Sequence, residues 1–215
     1  MENQVKIIET CSKYSMVSTE RLLCNINSIK ELINNKVFGD IVECGVWKGG
    51  SMLSMMLTCE SLADKDRMFH LYDTFAGMTK AGDNDVDLYG NTAQSIFESV
   101  KCEAAYEEVR INISSHCNIS PNKIFYHVGD IMKTSFFPEK IALLRLDTDF
   151  YDSTKFELDN FYDKVVEGGI IIIDDYGHWS GCKKAVDEFL SNHLDITLNI
   201  IDYTGVWFYK PKSSL

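Results

Sequence analysis

Four consecutive isoleucines, Ile170 to Ile173, follow Gly168-Gly169 and run straight into Asp174-Asp175; no other stretch constrains this chain as much. Uninterrupted β-branched residues suit a strand buried on both faces, as at the centre of a parallel sheet. Open sheets of that kind place ligands beyond the carboxyl ends of their strands. Two adjacent carboxylates there are costly unless a cation, a proton or a basic group compensates them. A second strand-like run, Ile141 to Leu146, also ends in acids, Asp147 and Asp149. Two neighbouring strands would then turn four carboxylates toward one crevice, which points to a hard divalent cation and chemistry on a hydroxyl.

The remainder alternates between strand and helix patterns. Residues 19–34 carry Leu22, Leu23, Ile26, Ile29, Leu32 and Ile33 on one helical stripe, with Ser18 as N-cap. This helix precedes the sheet and is placed to cover one side of a site. Strands are expected at 39–44, 68–73, 124–128, 141–146 and 170–173. Helices are expected at 52–62, around Ala105, Val109, Ile113 and Cys117, at 154–165 and at 181–190. The stretch 74–90 is rich in Gly, Asp and Asn without a clear period and reads as a long, mobile lid loop. Two last strands, 196–201 and 206–209, flank the short turn Asp202-Tyr203-Thr204-Gly205, which forces an antiparallel pair. An α/β chain of seven strands, mixed by a C-terminal antiparallel hairpin and covered by helices on both faces, has the pattern of the Rossmann-like methyltransferase sheet. Its division is read as a helical lid segment over 1–38 and one catalytic domain over 39–215.

Composition narrows the partners. Thirty-two acids against 21 bases give a formal charge of -11, which opposes broad binding to nucleic acid or to an anionic membrane. No apolar run is long enough to span a bilayer, and the start of the chain has no signal-peptide pattern. The seven cysteines form no CxxC pair, so reduced structural thiols in a cytoplasmic protein are expected and structural zinc is not. The apolar leading helix suggests a homodimer.

Several strand ends carry candidate ligand groups. Glu43-x-Gly45-x-x-x-Gly49-Gly50 lacks the G-x-G-x-x-G spacing of dinucleotide sites. Glu-x-Gly at a strand end is instead the first motif of S-adenosylmethionine enzymes, where the acid can face the cationic part of the cofactor. A simple tight turn explains the same residues. Asp73 ends the second strand where Rossmann-like sites bind ribose hydroxyls, or it caps a loop. Asp130 could accept from an adenine amino group with Ile131 packed on the ring, although Gly-Asp is also a common turn. For Asp147, Asp149, Asp174 and Asp175, oxygen donors without nearby histidine pairs or cysteines favour Mg2+ over zinc. Helix capping accounts for one acid at each strand end, not two. His178 could be a base, a substrate contact or a structural residue.

Four blocks together resemble the macrocin O-methyltransferase family of metal-dependent sugar O-methyltransferases. They are Val42 to Ser51, Leu71 to Met78, Leu144 to Thr154 and Ile173 to Trp179, supported by Tyr14 to Ser18 and Arg21-Leu22. The resemblance implies a cofactor site at Glu43, Gly45, Ser51, Asp73, Thr74, Asp130 and Ile131, and Mg2+ held by Asp147, Asp174 and Asp175. It implies an acceptor hydroxyl activated by the metal, with Asp149 as the base and Asp147 or His178 as competitors. The acceptor would be a saccharide or a nucleotide-linked sugar, with a small phosphorylated compound also open. A metal-dependent phosphoesterase and a non-catalytic scaffold are the competing readings; the adenosine-type strand ends disfavour the first and the intact acid cluster the second.

Overall fold

The computed structural model describes residues 2–100 and 102–212. Seven strands form one sheet: β1 (Asp40–Cys44), β2 (Phe69–Asp73), β3 (Ile124–Val128), β4 (Ile141–Leu146), β5 (Val165–Ile173), β6 (Asn199–Ile200) and β7 (Val206–Tyr209). Their order is β3-β2-β1-β4-β5-β7-β6, with β7 antiparallel to both of its neighbours and the other pairs parallel. This is the mixed Rossmann-like methyltransferase sheet that the alternating pattern and terminal hairpin imply.

The isoleucine run divides its side chains between two cores. Ile170 and Ile172 join α1 (Glu2–Cys11), α2 (Thr19–Asn34), α3 (Gly50–Ser61) and α5 (Tyr106–Ser114) on one face. Ile171 and Ile173 join α6 (Tyr151–Phe161) and α7 (Ser180–Leu190) on the other, where Ala93 and Ile96 of α4 (Ala93–Val100) also pack. Alternation across a strand buried on both sides produces this split.

Several boundaries differ from the sequence reading. Strand β5 begins at Val165 rather than 170, because Gly168 (φ +75°) lets the chain bulge before regular pairing with β4 resumes at Ile170. Helix α6 accordingly spans Tyr151–Phe161 instead of 154–165. Strand β6 is only two residues long, since Ile196 and Leu198 pack into the core without joining the ladder. Helices α1 and α4 are not among the helices expected from the sequence, although Ala93, Ile96, Phe97 and Val100 of α4 do follow a helical period.

The stretch 74–90 is fastened rather than free-standing. Asp85, 1% exposed, accepts from the backbone N–H of Gly82 (2.7 Å) and of Tyr151 (2.8 Å), the latter the first residue of α6. Ser180, opening α7, donates its N–H to Val86 O at 2.8 Å and accepts the Val86 N–H on its hydroxyl at 3.0 Å. An acid against helix N-termini is favoured by the exposed amides and the helix dipole.

The leading segment is equally built in. Leu22, Ile26, Ile29 and Leu32 of α2 are at most 1% exposed, within the same core as α3 and the sheet. The stripe that suggested a dimer is therefore covered by the chain itself, and the boundary at residue 38 cuts between elements sharing one core. Among the described residues no helix is long and apolar enough to cross a membrane. Ile172→Ala should cost about 2–5 kcal/mol, whereas Leu194→Ala, at a position 89% exposed, should stay within about 0.5 kcal/mol. Urea unfolding midpoints measure both.

Candidate active site

Strand β1 ends at Cys44 and turns sharply at Gly45, whose φ is +80°. A Cβ on Gly45 would lie 1.9 Å from the Asp147 carbonyl oxygen, so only glycine lets β1 and β4 end this close together. The turn is held from β2: Asp73 Oδ2 accepts the N–H of Val46 (2.7 Å) and Trp47 (3.1 Å), and its Oδ1 accepts the Phe75 N–H (2.8 Å). A cavity of about 740 Å³ opens over the carboxyl ends of β1, β2, β4 and β5. Gly45, Ser51, Asp73, Thr74, Ile131, Asp147, Asp149, Asp174, Asp175 and His178 all line it.

Ligand oxygens of Asp147, Asp174 and Asp175 lie within 4.8 Å of one another. Arg145, fully buried on β4, donates from Nη1 to Glu43 (2.8 Å) and Asp147 (2.6 Å), and from Nη2 to Asp174. Arg21 of α2 donates from Nη1 to the other Asp174 oxygen. Among the described residues Asp175 has no such partner, and its Oδ2 accepts the Asp149 N–H at 3.2 Å. Burial, then the nearby Asp149 and Asp147, push Asp175 well above the usual carboxylate range. Burial, with Asp147 next, pushes Asp149 up as well. Hard oxygen donors that resist ionising together are the donor set a Mg2+-sized cation compensates, so these residues fit one.

Asp149 has φ +67° and accepts the Trp179 indole N–H on Oδ1 at 2.9 Å. Among the described residues Oδ1 is the Asp149 oxygen that a side-chain donor engages. His178 lines the cavity with a buried Nδ1 that has no protein partner, and burial lowers its pKa.

Two expected cofactor contacts fall elsewhere. Glu43 is fully buried and outside the cavity wall; the cation it meets is Arg145, its register partner on β4. Burial raises its pKa to about 8 despite that guanidinium. Asp130 accepts the Met132 N–H (3.0 Å) and pairs with Lys133 (3.0 Å), capping a turn, while its neighbours Gly129 and Ile131 reach the cavity. Asp73 caps the glycine turn and borders the cavity at once. Ser51 lies 3.4 Å from Ser15 Oγ, and the Thr74 hydroxyl donates to Gly77 O.

Arg145 went without a role in the sequence reading, yet a charge inside a buried strand signals a partner on an adjacent strand. Arg21, Trp179 and the wall formed by Tyr14 to Val17 carry no such signal, because their place follows from packing.

The sheet order and the cavity at its carboxyl ends define a Rossmann-like methyltransferase. The sequence profile of the macrocin-O-methyltransferase (TylF) family matches residues 10–210. Demethyldecarbamoylnovobiocin O-methyltransferase of Streptomyces niveus is 32% identical over 204 residues, covering 93% of this chain and 76% of that protein. The 8-demethyl-8-(2,3-dimethoxy-alpha-L-rhamnosyl)-tetracenomycin-C 4'-O-methyltransferase of Streptomyces olivaceus is 28% identical over 210 residues, covering 94% and 77%. The solved structure of the O-methyltransferase NovP superposes with a TM-score of 0.83 at 30% identity, covering 93% of this chain and 83% of that one. The chain belongs to the macrocin O-methyltransferase family and is an O-methyltransferase. Family membership sets aside the phosphoesterase and scaffold readings.

Gly45→Ala should destabilise the fold by roughly 1–3 kcal/mol or more from backbone strain alone and should weaken cofactor binding. Urea unfolding together with S-adenosylhomocysteine calorimetry reads both effects.

Proposed function

We propose that this protein transfers a methyl group from S-adenosylmethionine to a saccharide hydroxyl with the help of Mg2+. The observation that carries the reading is the cluster of Asp147, Asp174 and Asp175 beside Asp149 in a cavity that also contains the Gly45 turn. The acceptor class is supported by the tetracenomycin relative, whose name describes methylation of a rhamnosyl group.

Gly45, Ser51, Asp73, Thr74 and Ile131 form the part of the cavity assigned to the cofactor. Asp147, Asp174 and Asp175 would hold the cation, which when bound supplies Lewis acidity to the acceptor hydroxyl. Asp149 takes the hydroxyl proton. Its Oδ1 is fixed by Trp179, so the proton goes to Oδ2. S-adenosylmethionine, when bound, would supply the electrophilic methyl group to the deprotonated oxygen and leave as S-adenosylhomocysteine. Trp179, 2% exposed, lines the cavity and holds Asp149 in place. Asp147 and His178 remain competitors for the base, and the saccharide is either free or nucleotide-linked.

Calorimetry with S-adenosylhomocysteine should show one binding event; no heat from either it or S-adenosylmethionine would sink the proposal. A panel of glycosides and nucleotide-linked sugars, read by S-adenosylhomocysteine release, should yield an acceptor whose turnover stops in excess chelator and returns with Mg2+. Full turnover in chelator would remove the metal from the scheme. With that acceptor, Asp149→Asn should lose about 10²–10⁴-fold in kcat while still binding cofactor. Near-normal turnover would move the base to Asp147 or His178.

A further inference from the structure

Both oxygens of Asp174 are bonded to guanidinium groups from different parts of the fold. Arg145 reaches Oδ1 from within the sheet, and Arg21 reaches Oδ2 from the first turn of α2. Arg145 also holds Asp147 Oδ2 at 2.6 Å, so two of the three candidate cation ligands share one rigid fork. Arg21 continues outward: its Nε donates to Asp202 Oδ2 at 3.0 Å, and the Ser18 hydroxyl donates to the same oxygen at 2.6 Å. Ser18 is the N-cap of α2 and accepts the Arg21 N–H at 3.1 Å. Thr204, in the β6–β7 turn, closes the network by donating to the Asp174 carbonyl at 2.8 Å.

Stability alone does not explain this arrangement. A buried ion cluster of this kind is often no more stabilising than well-packed apolar side chains of the same size. The two forks do, however, fix the orientation of carboxylates that would otherwise turn to relieve their mutual repulsion. A planar guanidinium holds two acids in a fixed geometry, whereas a lysine ammonium is a point charge with rotatable donors.

We propose that Arg145 and Arg21 are positioning residues for the cation site, and that Arg21 links occupancy of that site to the wall formed by Tyr14 to Val17. The proposal rests on the reading of Asp147, Asp174 and Asp175 as cation ligands. Groups that orient metal ligands typically set affinity by about 10–100-fold. A cation drawing on Asp174 shares its carboxylate with Arg21 and so acts on the hydrogen-bonded chain from Asp174 through Arg21 to Ser18. Ser18 in turn fixes the entry of the preceding segment, whose residues Tyr14, Ser15, Met16 and Val17 line the cavity.

Arg145→Lys and Arg21→Lys keep the charge and lose the fork, which separates positioning from bulk electrostatics. Mg2+ titration calorimetry in saturating S-adenosylhomocysteine should show each folded variant weakened about 10–100-fold, with S-adenosylhomocysteine affinity held. Hydrogen exchange over residues 14–22 should change on adding Mg2+ to the native protein and stay unchanged in Arg21→Lys. Should Arg145→Lys unfold, Arg21→Lys carries the test by both measurements. Native Mg2+ affinity in the folded variants would overturn the positioning role alone. A native protein that binds S-adenosylhomocysteine but no Mg2+ would overturn the cation site, and this inference with it.

Discussion

Strands β1, β4 and β5 each carry an acid at or just beyond their carboxyl ends, and one guanidinium, Arg145, is bonded to an acid from each of the three. Burial works against its charge, but Asp147, Asp174 and Glu43 more than offset this and hold Arg145 protonated. The strand ends can therefore converge without a cluster of unpaired buried charges beneath the cavity. Gly45 completes the approach by letting β1 and β4 meet where any Cβ would clash. The glycine turn, the acid cluster and the cavity all depend on these two features.

The acids fall into two groups on this framework. Glu43 and Asp174 are paired with guanidinium groups, Glu43 away from the cavity and Asp174 at its edge among the clustered acids. Asp149 and Asp175 have no ion-pair partner among the described residues and line the cavity, where burial and neighbouring acids push their pKa up. Asp147 belongs to both, bonded to Arg145 through one oxygen and half-open to the cavity. This division gives the site its chemical asymmetry: one side anchored, the other ready for a cation and a proton.

The sheet was legible because buried parallel strands leave long β-branched runs, and because the Asp202–Gly205 turn can close only an antiparallel pair. Bulging at Gly168 and the packing of Ile196 outside the ladder were not legible, since neither leaves a pattern in local periodicity. For the site, strand-end acids mark where a cavity opens but not which way each carboxylate turns. Glu43 shows the difference: its position beside a glycine turn suggested a ligand contact, while its actual partner lies one strand over. Asp130 turned out to serve its own backbone turn. The role of the 84–87 stretch was hidden because Asp85 acts through helix N-termini far away in sequence. Long-range pairs of this sort are invisible unless both partners are suspected together.

The central claim is that Asp147, Asp174 and Asp175 form a built site for a hard divalent cation. Crystals grown with S-adenosylhomocysteine and soaked in Mn2+ test it directly through anomalous scattering. A single peak is expected among those three carboxylates, with Arg145 still bonded to Asp147 and Asp174. No peak there, with the carboxylates held only by protein groups, would contradict the account.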